Sequence, residues 1–284
     1  MNITKSKSKL RAIGFSAIIV AVYLLNSVIV GAIYGVLLSK GLLGDNPNMD
    51  IYLENNATNF LATVSILTII VFGIILYFKQ KSSKNYSDKP FLGLEKVEKD
   101  KIIESLTLFL GAFGITFLWT GLIAILGEKI LFFKELIEIH NDTLGNLVSG
   151  ESFTLMFLTV AIIVPITEEM FFRGLIYGRL RQAMKPIVAN LISSIIFGIF
   201  HGNVVQGVYA FFIGFILALV YEKTNLLPLS ILGHALINTT GMALPLLGLY
   251  NVYLAIAFMG VVALVPSIKI IKKWSVEREV QLGD

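Results

Sequence analysis

The chain has 284 residues, of which 56% are hydrophobic and only 15% charged, and its mean hydropathy is +0.80. A globular domain averages about 25% charged residues. So few charges cannot cover a water-soluble surface, which excludes a soluble enzyme, a disordered chain and a fibrous repeat. With no cysteine, disulfides, thiolate nucleophiles, iron–sulfur clusters and Cys-ligated zinc are excluded too. The net charge of +4 is read as lysines of cytoplasmic loops, and no nucleic-acid partner is expected.

A helix crossing about 30 Å of hydrocarbon needs about 20 apolar residues. In chain order this predicts about eight spans, near Ile13–Leu38, Phe60–Phe78, Ile102–Leu126, Phe153–Phe172, Ile187–Phe200, Val204–Tyr221, Leu226–Leu247 and Val252–Ile271. The fifth is short, so the fifth and sixth could form one bent element or a helical hairpin. The first hydrophobic segment is too long for a secretory h-region and lacks an A-x-A-like cleavage site, so it reads as a retained helix. The fold expected is an all-α polytopic membrane protein whose solvent partner is the lipid bilayer. Residues 1–101 would form a two-span N-terminal region with a cytoplasmic linker, and 102–284 the membrane-embedded catalytic core.

Lysine and arginine set the orientation. With the N-terminus in the cytoplasm, 20 of the 23 basic residues fall inside, as the positive-inside rule requires. They lie in the N-terminal tail, in Lys79–Lys101, between Arg173 and Lys185, at Lys223 and after Lys269. Both termini are therefore expected inside. Only Lys40, Lys129 and Lys134 are placed outside, with the polar loop Gly41–Thr58 and a loop carrying His140.

Ionisable residues inside spans are costly and mark functional sites by default. Those here are Glu168, Glu169, His201 and His234. Adjacent carboxylates on a helix point about 100° apart. Glu169 and Arg173, four residues apart, can pair as a structural ion pair. Glu168 then lacks a helical partner and becomes the candidate general base. His201 ends an apolar helix one turn after Phe197; it could hold a water, ligate a metal, or donate to a backbone carbonyl. Gly198 and Gly202 would let another helix approach closely. His234 and Asn238 share one helix face; they could donate two hydrogen bonds to an oxyanion, bind a metal, or tie helices together. One carboxylate, two imidazoles and an amide on three helices suit a water-activating hydrolytic site. Gly-x-Ser-x-Gly and His-Glu-x-x-His are both absent.

Glu168-Glu169-x-x-x-Arg173, Phe197-x-x-x-His201 and His234-x-x-x-Asn238, in that order, resemble the motifs of the CPBP family. This is the family of CAAX prenyl proteases and bacteriocin-processing or immunity proteins, also called Abi. The likeness spans roughly Phe153–Leu247. It implies an eight-helix intramembrane glutamate endopeptidase. In it Glu168 would activate water, His201 would help hold that water, and His234 and Asn238 would stabilise the oxyanion. Glu169, Arg173 and Phe197 would support them. The family is also described as metal-dependent, so zinc on Glu168, His201 and His234 stays open. Two other classes remain: a proton-coupled carrier, and a non-catalytic immunity or scaffold protein. The richness in Ile, Lys and Asn suggests an AT-rich bacterial genome and a plasma-membrane location. The expected substrate is then a membrane-associated peptide or small protein, such as a bacteriocin or pheromone precursor, rather than a prenylated CAAX end.

Overall fold

The computed structural model describes residues 3–43, 48–82, 97–148 and 152–283. The described residues contain helices and no strand: α1 (Ile3–Ser39), α2 (Met49–Asn55), α3 (Ala57–Ser82), α4 (Lys99–Gly127), α5 (Leu131–Val148), α6 (Phe153–Leu180), α7 (Pro186–Phe200), α8 (Val204–Thr224), α9 (Leu227–Leu246) and α10 (Tyr250–Gly283). Among the described residues, seven helices (α1, α3, α4, α6, α8, α9 and α10) are long and apolar enough to cross a membrane. The chain is an all-α, multi-pass membrane protein. The expected fifth span is the 15-residue α7, which at 1.5 Å per residue rises about 22 Å, short of a full hydrocarbon crossing. The linker residues Lys84, Lys89 and Lys96, and Asp45, Asn46 and Pro47 of the polar loop, lie outside the described residues.

Two features differ from the sequence reading. Part of the polar segment before the second span is helical, as α2. His140 lies not in a loop but on α5, and it is buried. Leu131, Phe132, Phe133, Leu136, Ile137 and Ile139 interleave with charged residues there, a helical pattern too polar to register as a span.

The described residues divide into two compact units, one containing α1, α3 and α6, the other α4, α8, α9 and α10. Both are built for a lipid solvent. Large apolar side chains such as Val28, Phe258 and Val265 are exposed, while Asn26, Thr68, Ser105 and Ser267 are buried. Lipid is as apolar as leucine, so close packing and hydrogen bonds must join the helices. In the first unit, Asn26 Nδ2 of α1 donates to Thr68 Oγ1 (2.6 Å) and to the Val64 carbonyl (3.2 Å) of α3. In the second, α4 and α10 touch backbone to backbone. A Cβ on Gly114 would lie 2.3 Å from the Gly260 carbonyl carbon, so only glycine permits that crossing. At one end of this pair, Glu104 accepts from Lys273 Nζ (2.7 Å) and from the Trp274 indole.

Candidate active site

In the first unit, α6 carries Glu168, Glu169 and Arg173. This helix is not uniformly α. It widens into π-helix over Thr159–Ile163, returns to α over Val164–Glu169, and widens again over Met170–Tyr177. Pro165 explains the first widening: it has no N–H to give the carbonyl four residues back, and its ring crowds that carbonyl. Both candidate carboxylates thus sit on a short α turn between two wide ones, a local form frequent at functional sites.

Glu169 and Arg173 form the expected pair, with Nη1 donating to Oε1 at 2.6 Å. Both side chains are about 1% exposed or less. A buried pair like this contributes little net stability, but losing one partner leaves a costly buried charge. Glu168 is only half-buried. Around it the helix is fixed by Thr167 Oγ1, which donates to the Ser65 carbonyl of α3 (3.3 Å), and by an aromatic stack. The Phe171 ring lies nearly parallel to Phe72 of α3 (5.3 Å, 9° between planes) and to Tyr23 of α1 (5.2 Å, 22°). No sequence pattern announces that stack, because its rings come from three distant segments.

In the second unit, the structure brings Phe197, His201 and His234 together. The Phe197 ring meets His201 edge-on at 4.8 Å and His234 edge-on at 5.7 Å. Phe197 is itself held by Gly214 of α8, where an added Cβ would lie 2.9 Å from Phe197 Cδ1. His201 Nδ1–H donates to the Phe197 carbonyl at 2.8 Å. A carbonyl only accepts, so a proton sits on Nδ1, and in that tautomer Nε2 is the acceptor. One alternative foreseen for His201, donation to a backbone carbonyl, is met, and it leaves the other ring nitrogen available for chemistry.

His201 stands at the end of α7 because the chain turns there. Gly202 has φ +75°, and the Asn203 side chain caps α8 by accepting from the Gln206 N–H (2.8 Å). The close approach expected at Gly198 is present against Gly207, but Gly202 has nothing within 4 Å of a built Cβ. Its glycine serves the left-handed turn instead. His234 is buried on α9, one residue after Gly233, whose built Cβ would fall 2.3 Å from Phe109 Cζ of α4. Phe109 thus fixes this face of α9, a contact no motif signals. Asn238 lies one turn further and is half-buried. There α9 widens to π-helix over Thr239–Ala243, just before Pro245. The described residues also include an apolar groove of about 490 Å³ along α7 and α8, lined by Ile195, Ile199, Val204 and Phe211 among others. No candidate residue except those of the glycine turn adjoins it.

Outside the spans, burial pushes the His140 imidazole below its usual pKa, partly offset by a hydrogen bond with the Asn203 side chain. Its ring meets Tyr209 of α8 edge-on at 6.0 Å.

Residues 150–240 match the family model described as "Type II CAAX prenyl endopeptidase Rce1-like". The CAAX-protease resemblance of the motifs is borne out. Over 85 residues the chain is also 36% identical to the Bacillus subtilis (strain 168) protein named "Putative membrane peptidase YdiL". That match covers 30% of this chain and 35% of the relative, so the chain spans about a third of the length of the curated relative it matches. No solved structure matches. The Rce1-like segment includes every candidate residue from Glu168 to Asn238 and leaves α1 to α5 outside.

Glu168, His201 and His234 are of the right types to ligate zinc. Among the described residues, however, no group of three or more His, Cys, Asp or Glu side chains is placed to hold a metal ion.

Proposed function

We propose that this protein is a CAAX-protease-like membrane endopeptidase that hydrolyses a peptide bond of a membrane-associated peptide or small protein. Glu168 removes a proton from water as the water oxygen attacks the carbonyl carbon. His201 Nε2 accepts a hydrogen bond from the same water and orients it. His234 and Asn238 donate to the oxyanion that forms. When the C–N bond breaks, the proton held by Glu168 passes to the leaving nitrogen. The products are a carboxylate and an amine, with no covalent enzyme intermediate. The ion pair of Glu169 and Arg173 holds the α6 turn that presents Glu168.

One observation carries this reading. The 150–240 segment that matches a peptidase family holds all the ordered motif positions, and the relative that aligns with the chain is named as a membrane peptidase. The His201 tautomer supports it, because only an imidazole protonated on Nδ1 offers Nε2 to a water. The test uses the full chain in detergent with a quenched fluorescent peptide ending in a farnesylated CAAX sequence, and with its unprenylated counterpart. Wild type should cleave at least one and Glu168→Gln neither, with or without chelator. A well-folded Glu168→Gln protein that cleaves at the wild-type rate would end the glutamate mechanism.

We further propose that both termini face the cytoplasm of a bacterial plasma membrane. Seven crossings would put Lys269, Lys272 and Lys273 on the opposite side from Lys7 and Lys9. The positive-inside rule therefore asks α7 to carry the chain across despite its length. Single cysteines placed in this cysteine-free chain at 9, 181 and 272 should resist an impermeant maleimide in intact cells. Labelling at 272 alone would show that α7 does not cross.

A further inference from the structure

The turn that carries His201 is held from a helix that contributes no motif residue. Only Gly202 and the capping residue Asn203 join His201 to α8. Gly202 has φ +75° and nothing within 4 Å of a built Cβ, and glycine has no side chain to restrict its backbone, so the turn draws no stiffness from this residue. On the α7 side, His201 N–H donates to the Gly198 carbonyl and Gly202 N–H to the Ile199 carbonyl, each at 3.2 Å. On the α8 side, Gly207 N–H donates to the Asn203 carbonyl at 2.8 Å. A hold from outside reaches this first turn of α8: the indole N–H of Trp119, on α4, donates to the Val205 carbonyl at 2.9 Å. Val205 is fully buried and follows His201 by four residues. The Rce1-like match leaves Trp119 outside, whereas Trp119, His201 and α8 all belong to one compact unit.

We propose that Trp119 is a positioning residue for His201: its indole pins the start of α8, and with it the turn that aims His201 Nε2 at the water. This rests on the reading of His201 as the residue that holds that water. The bond from His201 Nδ1 to the Phe197 carbonyl fixes the ring against its own helix. Where the end of α7 then sits is set by the turn into α8, and α8 is tied to α4 through Trp119. An indole nitrogen only donates, and a helix carbonyl has a second lone pair to accept it, so this bond has one direction. Away from water a donor without an acceptor is costly, which keeps the indole on Val205. Misplacing a reacting group by about 1 Å can cost about 10²-fold in rate. A bond that adds little to stability therefore acts strongly on the reaction.

The test is Trp119→Phe in the full chain, which keeps an aromatic ring and removes the donor. With whichever CAAX peptide the wild type cleaves, kcat should fall about 10–100-fold with KM unchanged. In a His201→Ala background the same change should cost nothing more, since the group being positioned is gone. Trp274→Phe is the control: it removes an indole donor of the same unit that serves Glu104, near the other end of α4, and it should lower the melting temperature without changing kcat. Because the chain has three histidines, nitrogen NMR of histidine-labelled protein reads His201 without catalysis. Wild type should show His201 as one tautomer, protonated on Nδ1, and Trp119→Phe should show a mixture. Wild-type kcat in Trp119→Phe, an equal further loss in the His201→Ala background, or an equal loss in Trp274→Phe overturns the proposal. A wild type that cleaves no peptide defeats the peptidase reading instead, and an unchanged His201 signal in Trp119→Phe then overturns this one by itself.

Discussion

In the unit of α1, α3 and α6, the polarity buried at membrane depth includes a formal ion pair, Glu169–Arg173, beside neutral groups such as Asn26 and Thr68. In the unit of α4, α8, α9 and α10 it is neutral: imidazoles, amides, hydroxyls and an indole that donate to backbone carbonyls. His201 donates to Phe197 O, Asn190 to Phe215 O (3.0 Å), Ser230 to Leu217 O (3.3 Å) and Trp119 to Val205 O (2.9 Å). Its ion pair Lys273–Glu104 sits at a helix end with the lysine half-exposed. A full charge in hydrocarbon must be paired with an opposite charge, whereas a neutral donor needs only one carbonyl. The second arrangement makes each donor directional.

That contrast can be broken by mutation. The largest effect is expected where the two kinds of polarity act on a reaction. Asn238→Ala should lower kcat about 10²–10³-fold if the amide donates to an oxyanion. Glu168→Gln should lower it by at least about 10²-fold while folding survives, because a neutral amide is easier to bury than a carboxylate. Steady-state cleavage of the CAAX peptide measures both, and a carrier or scaffold would show neither loss.

Next comes the ion pair. Glu169→Gln or Arg173→Met should each cost about 3–5 kcal/mol by stranding the partner, seen as lower folded yield and melting temperature. The double variant should recover part of the loss, and strictly additive losses would show that the pair is not coupled.

Smaller effects sharpen the neutral side. Gly233→Ala should cost about 1–3 kcal/mol by driving a methyl into Phe109, and Phe109→Leu in the same chain should return part of it. An unchanged melting temperature in Gly233→Ala would mean that Phe109 does not set the position of α9. The smallest effect concerns His140, whose pKa burial depresses. A group depressed on folding contributes stability above its unfolded pKa, about 6.5, and that stability is lost as pH falls. Melting temperature should therefore drop between pH 7.5 and 5.5, and drop less in His140→Gln; equal drops would remove His140 from the acid sensitivity.

Much of the candidate site was legible because its signals are local. Glu169 and Arg173 are spaced one turn apart, and that spacing produced the pair found at 2.6 Å. Phe197 and His201 are likewise spaced one turn apart, which puts their rings in reach of each other, whereas no spacing signals the contact from Phe197 to His234. The π-helical turns were not foreseen, yet Pro165 and Pro245 each follow one by two residues. A proline deep in an apolar span was the available sign. His140 was misplaced because an amphipathic helix lying outside the spans has no long apolar run to reveal it.

The sequence by itself determined that this is a multi-pass helical membrane protein, because hydropathy over twenty residues is a local sum that lipid reads directly. It also determined the order of motif residues, since helical spacing brings residues four apart to one face. Only the tertiary structure decided which rings fix those residues: Phe197 against His234, Phe109 against Gly233, and Tyr23 and Phe72 against Phe171. Such contacts join residues tens to more than a hundred positions apart, and the apolar residues that make them differ in nothing local from those that face lipid. In a bilayer, hydrophobicity does not distinguish inside from outside, so close packing and the few buried donors settle the choice, and both exist only once the helices have met.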